Sequence, residues 1–110
     1  MSEGPSSASR RFVYHLTALD SWEQQENRDT YTHDSLAREG FIHCSDRSQV
    51  RATWKRVFAE SPGLIVLEIE ISLLTSELRY EEGEPGEFFP HIYGTIPRVA
   101  IVGVRRPDAL

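Results

Sequence analysis

Four short segments hold the residues whose types and spacing could do chemistry. In Gly40-Phe41-Ile42-His43-Cys44-Ser45, an extended backbone puts Phe41, His43 and Ser45 on one face and Ile42 and Cys44 on the other. His43 and Cys44 therefore diverge and do not suit a nucleophile–base pair, whereas Ser45 can reach the imidazole. The plainer alternative is a hydrogen-bonded core histidine, with Ser45 capping the next helix. Cys44 reads as a small buried hydrophobe. In Phe88-Phe89-Pro90-His91-Ile92-Tyr93-Gly94, His91 and Tyr93 share a face. Pro90 keeps Phe89 extended, and Gly94 permits a turn or a close ligand approach. Polar-tipped rings among apolar residues resemble a small-molecule pocket wall, the alternative being a packed aromatic corner.

In Leu78-Arg79-Tyr80-Glu81, Glu81 ends a strand and could project into a cleft near His91, while Glu82, Glu84 and Glu87 read as a solvated acidic face. Arg79 could pair with an acid or a ligand phosphate. In Tyr14-His15-Leu16-Thr17, His15 lies opposite the apolar trio Phe12, Tyr14 and Leu16, so it faces either solvent or a cleft. His33 falls in a polar stretch and reads as surface, with no role. His15, His43, His91 and Glu81 would make an acceptable zinc set. No local ligand spacing supports one, so no metal ligand is assigned. No G-x-G-x-x-G or P-loop pattern is present.

The elements that must position these residues follow from periodicity. Residues 11–17 alternate as a strand. Asp20 or Ser21 can cap a short helix carrying Trp22. Asp34 can cap a second over residues 35–39, with Gly40 just past its end. Residues 41–45 suggest a short strand. Val50, Thr53, Trp54, Val57 and Phe58 form one stripe of a helix starting at Ser45 or Asp46, stopped by Ser61-Pro62-Gly63. Residues 64–71 and 78–81 read as strands and 82–87 as a loop; residues 88–94 lead into a last strand over 98–104. Strand, helices, strand, helix, then several strands predicts an α+β fold with a mostly antiparallel sheet.

The chain has 110 residues, 39% of them hydrophobic, enough for one domain and its core. Residues 1–10 read as a disordered lead-in and 11–107 as the single globular domain. With 12 basic and 17 acidic residues the net charge is −5, which disfavours a DNA-backbone surface. One cysteine excludes an intrachain disulfide and suits a reducing cytoplasm. No run is apolar enough for a membrane span, and the N-terminus lacks the apolar core of a signal peptide.

The segments GFIHCS, Gln49 in the next helix, LRYE and FPHIYG together resemble the DUF952 family of small bacterial proteins of unknown function, from about Tyr14 to Val104. The chain departs from the family at the middle position of His-Cys-Ser and at Tyr80, where Trp is common. The resemblance implies a fold similar to ADP-ribosyltransferases and RNA 2′-phosphotransferases, a split sheet around an NAD-sized cleft. It implies that His15 orients a ribose, that His43 holds the nicotinamide side, and that Glu81 or His91 assists transfer. A carboxylate would steady the oxocarbenium-like centre left by nicotinamide. Tyr93 or Phe41 would stack on a base, and Arg47, Arg51 or Arg79 would meet phosphates. The expectation is a transferase acting on NAD or a related nucleotide. His43, Glu81 and His91 would be catalytic, and His15, Ser45, Arg79 and Tyr93 would bind the nucleotide. A non-catalytic nucleotide-binding module and a zinc-dependent hydrolase are the alternatives.

Overall fold

The computed structural model describes residues 10–57 and 62–110. The expected lead-in therefore lies, Arg10 apart, outside the described residues, as do Phe58 and Ser61. Among the described residues, eight strands and three α-helices follow one another: β1 (Phe12–Ala18), α1 (Leu19–Glu23), β2 (Thr30–Tyr31), α2 (Asp34–Glu39), β3 (Ile42–His43), α3 (Arg47–Val57), β4 (Leu64–Glu70), β5 (Leu78–Glu84), β6 (Glu87–Ile92), β7 (Ile96–Pro97) and β8 (Ile101–Arg105).

Every strand pair is antiparallel. One sheet runs β1-β4-β8, another β3-β6-β5, and β2 pairs with β7. The two larger sheets meet where Tyr14 and Ser45 exchange backbone hydrogen bonds of 2.8 and 2.7 Å. The α+β reading, with a split, mostly antiparallel sheet and short helices, agrees with this arrangement.

Period-2 alternation sends the two faces of β1 into two cores. Val13 packs with Tyr31, Ile42, Leu67, Ile69 and Ile92, while Tyr14 and Leu16 pack with Val50 and Val66 under α3. Both faces of β1 are thus covered, and His15 is only 1% exposed. The solvent-facing option for His15 is excluded, because both faces of its strand are packed rather than one.

Four local expectations change. The cap of α2 is His33, not Asp34: its Nδ1 accepts the Ser35 N–H at 3.1 Å. Gly40 ends that helix at φ 91°, a left-handed turn that launches β3. Residues 82–87 are not a loop. β5 continues to Glu84 and returns as β6 from Glu87, the Glu82 carboxylate accepting the Gly86 N–H at 2.6 Å. Strand pairing and this side-chain bond outweigh the turn-forming composition. The expected last strand over 98–104 is broken by a 3-10 turn at Arg98–Ala100, where Arg98 N–H is drawn to the Asp29 carbonyl at 2.8 Å. At α1 the residue before the helix is Ala18, with no side-chain cap, and Asp20 lies inside its first turn.

Gln49 ties α3 to the β5–β6 hairpin. Its Oε1 accepts the Asp46 N–H at 2.9 Å, and its Nε2 donates to the Phe88 carbonyl at 2.9 Å and to Glu87 at 3.2 Å. This packs the helix start against the strand that carries His91.

Candidate functional site

A cavity of about 770 Å³ is lined by all four histidines, His15, His33, His43 and His91. Strand register brings them together. His43 on β3 is the direct cross-strand partner of His91 on β6, and their ring centroids lie 5.3 Å apart. Phe41, two residues before His43 and on its face, stacks on His91 at 4.0 Å and 15°. The shared face expected for Phe41, His43 and Ser45 is what allows this, and Ser45 also lines the cavity.

His15 sits at the inner end. Its Nδ1 is 2.7 Å from the His43 carbonyl and its Nε2 is 3.1 Å from the Tyr31 hydroxyl. Desolvation by burial pushes its pKa down to about 3, so the ring is neutral. A carbonyl only accepts, so the proton is on Nδ1 and Nε2 accepts from Tyr31, whose oxygen lies 3.1 Å from the Thr17 hydroxyl. Both nitrogens are therefore used inside the protein. A ribose hydroxyl would meet His15 as a wall of the cavity rather than as a free donor.

His33, read from sequence as surface, instead caps α2 and lies 4.9 Å from the His15 ring. His43 is half-exposed rather than a buried core histidine. Its Nε2 is 3.0 Å from Glu39 one helical turn back in the chain. Cys44 faces the other way and is buried, as expected, and desolvation raises its thiol pKa far above the usual range.

Glu81 and Tyr93 share a face with His91 but do not line the cavity. The Glu81 Oε1 accepts the Tyr93 hydroxyl at 2.6 Å and lies 2.7 Å from His91 Nδ1. These two hydrogen bonds, Tyr93 first, lower the Glu81 pKa. Arg79 is also outside, bonded to Glu77 at 2.9 Å and lying over the Tyr93 ring at 4.4 Å. Arg51 is spent on the Leu110 carbonyl, and Arg47 lines a separate recess of about 260 Å³ with Arg10 and Arg11. Gly94 does not open toward a ligand, since a side chain there would run into Ser76.

The cavity has features that sequence reasoning missed. Its cations are Arg38 and Arg56, on α2 and α3. Both are only loosely held, by Glu39 at 4.0 Å and Glu84 at 3.9 Å. Phe89 adds a second aromatic wall. The Thr53 hydroxyl, assigned to a buried stripe by its spacing, lines the cavity and is buried with no hydrogen-bond partner among the described residues. No local pattern marks Arg38 or Arg56, because their strand neighbours are distant in sequence. The zinc set is not assembled: both nitrogens of His15 are occupied, and the described residues contain no group of three potential ligands placed to hold a metal ion.

Comparison with known proteins places these features. A family model described as "Protein of unknown function (DUF952)" matches residues 16–104. The crystal structure of protein CC0527 from Caulobacter crescentus is similar with a TM-score of 0.74 at 24% identity, covering 84% of this chain and 82% of that one. A double mutant of CC0527 gives 0.73 at 23% identity, with the same coverage of both chains. The solution NMR structure of CC0527 gives 0.70 at 24%, covering 84% of this chain and 81% of that one. No protein of curated function matches. No helix among the described residues is long and apolar enough to cross a membrane.

Proposed function

This chain belongs to the DUF952 family of proteins of unknown function, and from that premise we propose that its cavity binds NAD or a related nucleotide and transfers a group from it. The observation that carries this reading is the convergence of four histidines, two phenylalanines and two loosely paired arginines on one cavity. At about 770 Å³ it lies within the roughly 300–1,000 Å³ common for small-molecule sites.

A nucleotide would use each group. Phe41 and Phe89 offer faces for a base, and Arg38 and Arg56 offer charge for phosphates. Ser45, Thr53 and the imidazoles of His43 and His91 offer hydrogen bonds to ribose. Arg79 and Tyr93 would contribute from behind the wall. The split antiparallel sheet supports an ADP-ribosyltransferase-like architecture for the same reading. The reading also puts the protein in the cytoplasm, where Cys44 stays reduced.

Isothermal calorimetry with NAD, ADP-ribose and a 2′-phosphorylated nucleotide tests it. At least one should bind, and His43→Ala or His91→Ala should weaken binding about tenfold or more, a loss of about 1.4 kcal/mol. The variants should keep the wild-type circular dichroism spectrum. Lack of binding by all three compounds at millimolar concentration overturns the reading.

One observation favours a second reading, a binding module without turnover. Glu81, the carboxylate expected to steady the transferring ribose, is spent on His91 and Tyr93 instead of lining the cavity. Release of nicotinamide from NAD separates the two, since a module binds without product.

A further inference from the structure

His91 is held from several sides while one of its nitrogens is left unused. On β5, Arg79 is its direct partner and Glu81 pairs with Phe89, so Glu81 reaches it diagonally. Glu81 Oε1 lies 2.7 Å from Nδ1, and Tyr93 donates to the same oxygen at 2.6 Å. Phe41 stacks on the ring at 4.0 Å and fixes its plane. His91 is 7% exposed, and its Nε2 has no partner among the described residues.

An ionised carboxylate accepts and cannot donate, so the short contact requires the proton on Nδ1. In the neutral ring, Nε2 is then a bare lone pair in a residue that lines the cavity. We propose that Glu81 is a positioning residue that locks His91 as its Nδ1–H tautomer, making Nε2 the general base for a hydroxyl acceptor, an alcohol or water. This rests on the transferase reading above. In the step, the acceptor oxygen bonds to C1′ of the ribose and the C1′–N bond breaks. The electron pair goes to the nicotinamide nitrogen, which becomes neutral. The acceptor proton passes to Nε2, and the resulting imidazolium is paired with Glu81. A carboxylate that orients and stabilises the base in this way need not touch substrate.

The test is nitrogen-15 NMR of the histidine side chains in the full chain near pH 7.5. In the wild type, His91 should carry its proton on Nδ1, with Nε2 bare. Tyr93→Phe should keep that state, since Glu81 remains. Glu81→Ala should lose it, while His15 keeps its own Nδ1–H signature as a report of an intact fold. With NAD, Glu81→Ala should reduce kcat by about 100-fold or more with little change in KM, the size expected when a general base is lost. A wild-type His91 protonated at Nε2 overturns the proposal, as does a Glu81→Ala spectrum in which His91 is unchanged. The wrong tautomer with nucleotide binding intact leaves the transferase reading standing. The right tautomer with no nucleotide bound overturns that reading and the base step, leaving only the pairing of Glu81 with His91.

Discussion

At His15, burial removes the water that would solvate an imidazolium, and the ring stays neutral down to a pKa of about 3. The unfolded chain binds a proton there near pH 6.5, so the sign is fixed. Stability from this group is present in full above pH 6.5 and is lost as pH falls toward 3. The loss is up to about 1.4 kcal/mol per pH unit, because only the unfolded state takes up the proton. His33 is shifted the same way, again chiefly by desolvation. Urea unfolding of the wild type and of His15→Asn between pH 4 and 8 checks this: the variant should show a flatter dependence. Equal slopes would mean that His15 is solvated in the folded state. The faces of His15, His43 and His91 were legible from alternation within their strands. The protonation pattern of His15 was not, since it depends on Tyr31 and the His43 carbonyl, 16 and 28 positions away.

The short elements depend on single side chains. α2 has six residues, too few to hold itself, and His33 supplies its N-terminal acceptor. His33→Ala should cost about 0.5–2 kcal/mol, the usual range for a lost cap. Backbone amides of Asp34–Glu39 should exchange faster with deuterium, and His43 should lose its contact with Glu39. Unchanged exchange in α2 would reject the cap. Gln49 acts between elements, and its replacement by Ala strands the Asp46 N–H and the Phe88 carbonyl. The expected loss is about 1–3 kcal/mol, read as a lower urea midpoint, because partly buried polar groups are left unmade. Gln49 stood out in the sequence as part of a family resemblance, yet its partners lie 38 and 39 residues downstream and no local pattern names them. The β5–β6 hairpin was hidden for a related reason. Glycine and acidic residues at 82–87 favour a loop locally, and only the pairing of Glu82 with Phe88 and of Glu84 with Glu87 extends the strand.

Across the whole molecule, a net charge of −5 opposes an anionic ligand, so any nucleotide must rely on local cations. The cavity supplies Arg38 and Arg56. Arg38→Ala and Arg56→Ala should each weaken nucleotide binding, and by more than Arg79→Ala, whose guanidinium lies outside the cavity. Calorimetry at two salt concentrations checks the ranking, with affinity falling as salt rises. Saturating nucleotide should also raise the melting temperature by several degrees, since binding the folded state at 100 times Kd adds about 2.7 kcal/mol.

Taken alone, the amino-acid order determined the elements with clear periods. These are β1 and β4 by alternation, α3 by its stripe, the end of α2 by Gly40, and the α+β class by their sequence. It also determined which side chains share a strand face, because that follows from a repeat of two residues. Tertiary structure alone decided that β1 is covered on both faces, that four histidines meet, that Glu81 stands behind His91, and that Arg38 and Arg56 serve the cavity. The physical reason is distance along the chain. Tyr14 meets Ser45 and His43 meets His91 through strand pairings 31 and 48 residues apart. Such pairings are selected by burial of the whole core, not by any local pattern.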